Sequence, residues 1–360
     1  MMPYIIPFLL IFLGLVRPKD KWLTILFLLY YWALVGLNTY TPDYESYETK
    51  YDAFLLYTDY EIGFQSLNYL CYYLDLSYQE FRMVVAFLIS FFTYIAVKRL
   101  SNYPNYLLAL FLLWPFVGNV SGLRQGLANI IVCCGVPCLF KEGKAQTIKY
   151  LLWITLAWSI HQSSLFFLIL LFSRNEYRMK EKKIILLSAV VGVFVIASTQ
   201  ILDGIPFITD NHKFNKWLNI SADEGADHQN LIGFFIRTFL VCCYALLVPK
   251  LAAIIKKQSF LNELETRCLT ICSNSSLLLL LSVPGYVVTG EYQRFLYALL
   301  LIYYVVFAEF RFKKFNKPYP KRFQLILVSF GMILLTAWYY TFSMSSHDVL
   351  ATFKDNLLFK

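Results

Sequence analysis

Six clusters of lysine and arginine punctuate this 360-residue chain, and they lie between long apolar segments. The clusters are 17–21, 98–99, 141–149, 174–183, 250–267 and 311–322, and they hold 23 of the 32 Lys and Arg residues. That alternation leaves one class of fold. Basic residues collect on the cytoplasmic side of membrane segments, and a spanning segment satisfies its backbone polar groups within a helix. At 58% hydrophobic and 15% charged, the chain is expected to be all-α, a polytopic membrane protein in a single domain over 1–360. The net charge of +9 then reflects topology and contact with anionic membrane lipid, not a nucleic-acid partner.

Twelve apolar segments carry this expectation: 4–16, 22–37, 81–97, 104–118, 123–140, 146–160, 162–173, 184–200, 230–248, 268–288, 294–310 and 323–342. Both termini are then outside the cytoplasm, and the uncharged N-terminal stretch reads as a retained first span. Several segments fall short of the ~20 residues of a full span. The pair 146–160 and 162–173 reads as two short segments meeting near His161, with broken or re-entrant backbone buried in protein. Two longer outer loops follow from this topology, 38–61 and 201–229, and acids dominate both. Ile62–Leu74 is apolar and aromatic but too short to span, so it is expected to be an interfacial or re-entrant helix. The eight cysteines sit in apolar runs without CxxC spacing and read as small packing residues, with no metal site.

Four arginines break the charge pattern. Arg82, Arg124, Arg237 and Arg294 lie at or inside apolar segments on the side where positive charge should be scarce. Guanidinium grips phosphate and carboxylate in a planar, bidentate manner, so an outward-facing site for an anionic substrate is expected. Arg124 and Gln125 follow two glycines at a helix start, where free N–H groups and the helix dipole favour phosphate. Arg294 opens another helix and forms a second arm, with Glu291 as an ordinary ion-pair alternative. Arg237, two turns into its span, needs a carboxylate, a phosphate or water. Arg82 has Glu80 and Asp75 close by and reads as a salt bridge. His161 ends an apolar run at the same face, and an imidazole can accept a proton at neutral pH. Asp43 and Glu61 bracket the first outer loop as reserve carboxylates, for acceptor positioning or as base. Tyr44, Tyr47, Tyr57 and Tyr60 could stack on sugar rings. The pair Asp43-x-Glu45 resembles acidic pairs that hold divalent ions in lipid-dependent glycosyltransferases, a pattern that arises easily in so acidic a loop. No nucleotide-binding glycine pattern and no HExxH or GxSxG is present.

Taken in order, Asp43-Tyr44-x-x-Tyr47, Glu61-x-Gly63, Arg124-Gln125-x-x-Ala128, His161-x-Ser163-Ser164 and the outer-turn Arg294 resemble the EpsG family. That family is related to the Wzy-type polymerases of exopolysaccharide, capsule and O-antigen synthesis. The chain departs from it at Thr41-Pro42, where a glycine-containing turn is expected before Asp43. The loop 201–229 carries no signature of the family. The resemblance implies a glycosyltransferase of the bacterial cytoplasmic membrane, without cofactor, whose site faces the exterior. It would move a growing glycan from undecaprenyl pyrophosphate onto a sugar hydroxyl of a lipid-linked repeat unit. His161 would act as base, with Asp43 and Glu61 in reserve. Arg124, Arg294, Arg237 and Gln125 would bind the pyrophosphate, and Tyr44 and Tyr47 the sugar. A flippase and a chain-length regulator are further candidate partners. Competing readings are an O-antigen ligase, a metal-dependent transferase, a flippase or transporter of lipid-linked oligosaccharide, and a non-catalytic assembly partner. A transporter should show internal repeats and charges at mid-membrane depth.

Overall fold

The computed structural model describes residues 2–41, 43–53, 61–174, 231–287, 294–343 and 353–359. The expected span 184–200, the loop 201–229, Tyr57, Tyr60 and Glu291 lie outside the described residues. The described chain is helical, and its only strand-like feature is an isolated bridge between Asn38 and Asn356.

The helices start where short polar side chains can take up free N–H groups. Asp20 caps α2 (Lys21–Gly36), accepting from the Leu23 amide at 3.1 Å. Ser77 and Glu80 form a reciprocal capping box on α5 (Tyr78–Leu100). Behind the first turn, buried Asn105 donates to the carbonyls of Arg17 and Asp20 and accepts from Thr24, locking α1 (Met2–Val16) and α2 against α6 (Pro104–Leu113).

Among the described residues five helices are long and apolar enough to cross a membrane: Tyr78–Leu100, Gly233–Gln258, Glu263–Pro284, Arg294–Phe312 and Arg322–Tyr339. Five further apolar helices are shorter. Each expected segment on described residues is helical, and five of them lie in helices of full spanning length; the expected count of about twelve spans is not confirmed. Two boundaries moved for identifiable reasons. Segment 104–118 is broken: α6 stops at Leu113 before a cis Trp114–Pro115 bond, and the six-residue α7 (Phe116–Ser121) follows. Pro115 cannot continue the helix. The Tyr304 hydroxyl answers the break by donating to the Trp114 carbonyl at 2.7 Å. The segment expected to end at 248 instead runs on through Pro249 as α10 (Leu231–Gln258).

At the centre stands α12 (Arg294–Phe312), apolar all round its length, with 78% of its apolar window buried against 22% for α13 (Arg322–Ser343). Around it pack α6, α8 (Leu123–Gly135), α10 and α11 (Glu263–Leu278). All eight cysteines are free thiols, and six of them are buried.

The pair near His161 is a hairpin, as expected from the charge pattern. Helix α9 (Lys144–Ile160) ends at His161, whose backbone is extended, and Gln162–Arg174 returns as 3₁₀ helix. Tyr150 donates to the Phe167 carbonyl at 2.6 Å and Arg174 to Thr147 at 2.5 Å, so the two limbs run side by side. A 3₁₀ helix rises ~2.0 Å per residue, so its 13 residues reach about 26 Å. That matches the about 25 Å of the 17-residue α9.

The first outer loop also holds a helix, α3 (Tyr44–Asp52). Its tyrosines at 44, 47 and 51 share one face and pack on Tyr78, Phe64 and Phe81. Next comes α4 (Ile62–Tyr73), which exposes Ile62, Leu70 and Tyr73, the apolar and aromatic face expected of an interfacial helix.

Candidate active site

Glu61 precedes α4 in extended backbone, the position from which a carboxylate would ordinarily cap its own helix. It makes no such bond. Its side chain, 15% exposed, reaches across to two other elements. Oε2 accepts from Arg124 at 2.7 Å. Oε1 lies 3.2 Å from His161 Nδ1 and accepts from the Gln162 backbone N–H at 2.8 Å.

Local sequence explains why these groups meet. Helix α8 begins just after Gly122, with the Gly126 amide bonding the Gly122 carbonyl at 2.8 Å, and this sets Arg124 in the first turn. His161 closes α9 by donating its amide to Ala157 at 2.9 Å, and the break there turns the Gln162 N–H outward. Gly63 lets α4 touch this corner. A Cβ at residue 63 would stand 2.7 Å from the Ser159 carbonyl oxygen and 2.9 Å from its Cβ.

Burial alone would raise the Glu61 carboxyl, but the bonds from His161 and Gln162 and the Arg124 charge outweigh it and lower the pKa to about 2. Glu61 is a permanent carboxylate at neutral pH. A carboxylate only accepts, so its bond to Nδ1 directs that nitrogen's proton toward Glu61 and leaves the lone pair of the neutral ring on Nε2.

Asp43 and Tyr47 approach from α3. Burial pushes the Asp43 carboxyl up, against the lowering charges of Arg294, Arg124 and Lys50. Burial likewise raises the Tyr47 phenol, whose oxygen is hydrogen-bonded by Arg124 and lies within the field of Arg294. Asp43, Tyr47, Glu61, Arg124, His161 and Arg294 therefore form one cluster at one end of the bundle. Gln125 lies buried on α8 beside Arg124.

Three expected residues are engaged elsewhere. Arg237 donates from Nε to the Tyr339 hydroxyl at 3.1 Å, on α13, and to neither carboxylate. Tyr44 hydrogen-bonds Gln79 at 3.2 Å and covers the Arg82 guanidinium at 5.0 Å. Arg82 does not pair with Glu80 or Asp75, because Glu80 is held by Ser77 in the capping box. Arg82 instead is fully buried and donates to the Val35 carbonyl at 3.1 Å and to Tyr78 at 3.4 Å. A cation at the C-terminal end of α2 is favoured by the helix dipole.

Sequence reading missed the Gln162 backbone donor and the contact of Gly63 with Ser159. The first was implicit in the helix break after Ile160; no signal pointed to the second. Among the described residues no group of three His, Cys, Asp or Glu converges as metal ligands would.

No curated protein and no solved structure matches this chain. One family model does, the EpsG family, a Wzy-like polymerase family, and it covers residues 21–353. With nearly the whole chain matched and the Glu61-x-Gly63, Arg124-Gln125 and His161 segments meeting in space, the protein is a member of the EpsG family.

Proposed function

We propose that this protein is a polysaccharide polymerase that transfers a growing glycan from undecaprenyl pyrophosphate to a sugar hydroxyl of a lipid-linked repeat unit. Family membership supports a polysaccharide-polymerase role in general. The observation that carries the finer reading is the single carboxylate of Glu61 joined to both His161 and Arg124. An acid locked as an anion orients the base on one side and holds a phosphate-binding cation on the other.

In this reaction His161 Nε2 takes the proton of the acceptor hydroxyl, and the freed oxygen attacks the anomeric carbon of the donor glycan. The bond from that carbon to the pyrophosphate oxygen breaks, and its electron pair leaves with the lipid pyrophosphate. Arg124 and Arg294 stabilise the charge that develops there. Pyrophosphate leaves without an acid, so one base and a cationic clamp suffice, and the anomeric centre inverts. Asp43 and Tyr47 hold the acceptor sugar. The site faces the exterior of the bacterial cytoplasmic membrane, a reading supported by the basic clusters at the other ends of these helices.

The test is a reconstituted assay with pyrophosphate-linked repeat units, comparing wild type, His161→Ala and Arg124→Ala with and without EDTA. Glycan extension by wild type in EDTA, lost in both variants, is expected. Extension unaffected by His161→Ala would remove the base assignment, and lipid movement across the bilayer without extension would make the protein a transporter.

A further inference from the structure

The last four carbonyls of any α-helix lack partners within the helix. At the C-terminus of α2 the Ala33 carbonyl accepts from the Leu37 amide just past the helix at 3.0 Å, and all four carbonyls also accept from side chains elsewhere in the chain. Arg82 takes Val35, and the Gln79 amide takes Gly36. The remaining two are taken from the far end of the sequence. Buried Asn356 donates from one amide nitrogen to Ala33 at 3.0 Å and to Leu34 at 3.2 Å.

The tail around Asn356 is tied to the same place by its backbone. The Leu357 amide donates to the Leu37 carbonyl at 2.8 Å, and Thr39 donates to the Asp355 carbonyl from its amide at 2.8 Å and its hydroxyl at 3.0 Å. Phe353 packs against the core beside it. The tail lies past residue 353, where the EpsG match ends.

Residues 37–39 lead directly into the segment that carries Asp43 and Tyr47. Thr41 is buried and its carbonyl receives the Tyr44 amide at 2.9 Å, while Tyr44 reaches back to Gln79. A fixed α2 terminus therefore fixes the start of α3, and α3 sets Asp43 and Tyr47 against Arg124 and Arg294.

We propose that Asn356 is a positioning residue for the active site: the C-terminal tail completes the cap on α2 and thereby holds α3, with its acceptor-side groups, in register with the arginines. This rests on the polymerase reading for its kinetic half and on geometry alone for its structural half.

The experiment uses the full chain with Asn356→Asp. Aspartate keeps the shape and the Oδ1 atom that accepts the Leu358 amide at 2.9 Å. It cannot donate to Ala33 or Leu34, and its charge opposes the negative end of α2. Amide hydrogen exchange over residues 37–53 should rise about tenfold, for the loss of two hydrogen bonds at a buried cap. The KM for the lipid-linked acceptor should rise by a similar factor, about tenfold, with the pH profile of kcat unchanged because Glu61 and His161 are not moved. Asn356→Ala, without the added charge, should give the same pattern at smaller amplitude. Asn356→Gln, which keeps the donor, should lie closer to wild type than either. Exchange and KM within twofold of wild type in both the Asp and Ala variants would overturn the proposal. A wild type that extends no glycan overturns the polymerase reading alone, because the exchange comparison still decides the role of the tail.

Discussion

Replacing Gly63 with alanine should disable the enzyme from a position that touches no substrate. The new Cβ would lie 2.7 Å from the Ser159 carbonyl oxygen and 2.9 Å from Ser159 Cβ, and ordinary contact begins at 3.4 Å. The obstacle includes backbone, so α4 must retreat from α9 by about 0.7 Å, the shortfall from ordinary contact. Overpacking of this kind costs roughly 1–3 kcal/mol of stability. The larger effect falls on the site. Glu61 sits two residues before Gly63, and the same retreat would stretch its 3.2 Å contact with His161 and its 2.8 Å bond from Gln162 to about 3.9 and 3.5 Å, past useful hydrogen bonding. Misplacement near 1 Å can lower turnover about 100-fold. The assay is glycan extension on lipid-linked repeat units, read beside a thermal unfolding curve on the same sample. Loss of turnover should exceed what the fraction of unfolded protein explains. Turnover of Gly63→Ala within twofold of wild type would refute the reasoning.

Three other substitutions probe the same arrangement. Glu61→Gln removes an interaction worth about 3 kcal/mol, from a pKa lowered from 4.5 to about 2. The sign follows from that lowering: in the wild type this contribution is complete above pH 4.5 and fades as pH falls toward 2, so the stability gap between wild type and Glu61→Gln should narrow over that window in acid unfolding. His161→Ala should lower kcat by about 10²–10⁴-fold while leaving donor lipid binding intact in a retention assay. Tyr304→Phe leaves the Trp114 carbonyl without its 2.7 Å donor at the helix break and should cost about 1–3 kcal/mol in thermal unfolding, with the KM unchanged.

What could be read from the residues was mostly topological. Arg124 and Arg294 stood out because positive charge on the outer side of apolar segments is costly unless used, and His161 and Glu61 because they end an apolar run and bracket the acidic loop; the structure brings Arg124 and His161 together on Glu61. The turn at His161 was legible from Arg174 and its basic neighbours, which had to return to the side of Lys141. Arg82 was misread from proximity to Glu80, although Ser77-Tyr78-Gln79-Glu80 is itself a capping-box pattern that marks Glu80 as already engaged. Helix α3 was hidden inside an acidic loop, yet the spacing of Tyr44, Tyr47 and Tyr51 carried its helical period. How far each segment extends was the least legible property, because apolar composition measures what a segment prefers and not how far it reaches. A 3₁₀ limb and a helix that continues through Pro249 both change reach without changing hydropathy. Arg237 was singled out by its depth in the span, and depth gave no sign that the Tyr339 hydroxyl would be its hydrogen-bond partner.

The bonds of Glu61 also set an order of events. Its partners lie 63 and 100 residues further along the chain. At a synthesis rate of about 5–20 residues per second, Glu61 waits roughly 5–20 seconds for His161 to be made. The carbonyls of Ala33 and Leu34 wait longer, since Asn356 follows them by 323 and 322 residues. Such long separations form late. The Glu61 corner therefore closes only after residue 161 has been made, and the cap on α2 only after residue 356, so a shorter nascent chain holds its acidic group without the histidine and its α2 terminus without the asparagine.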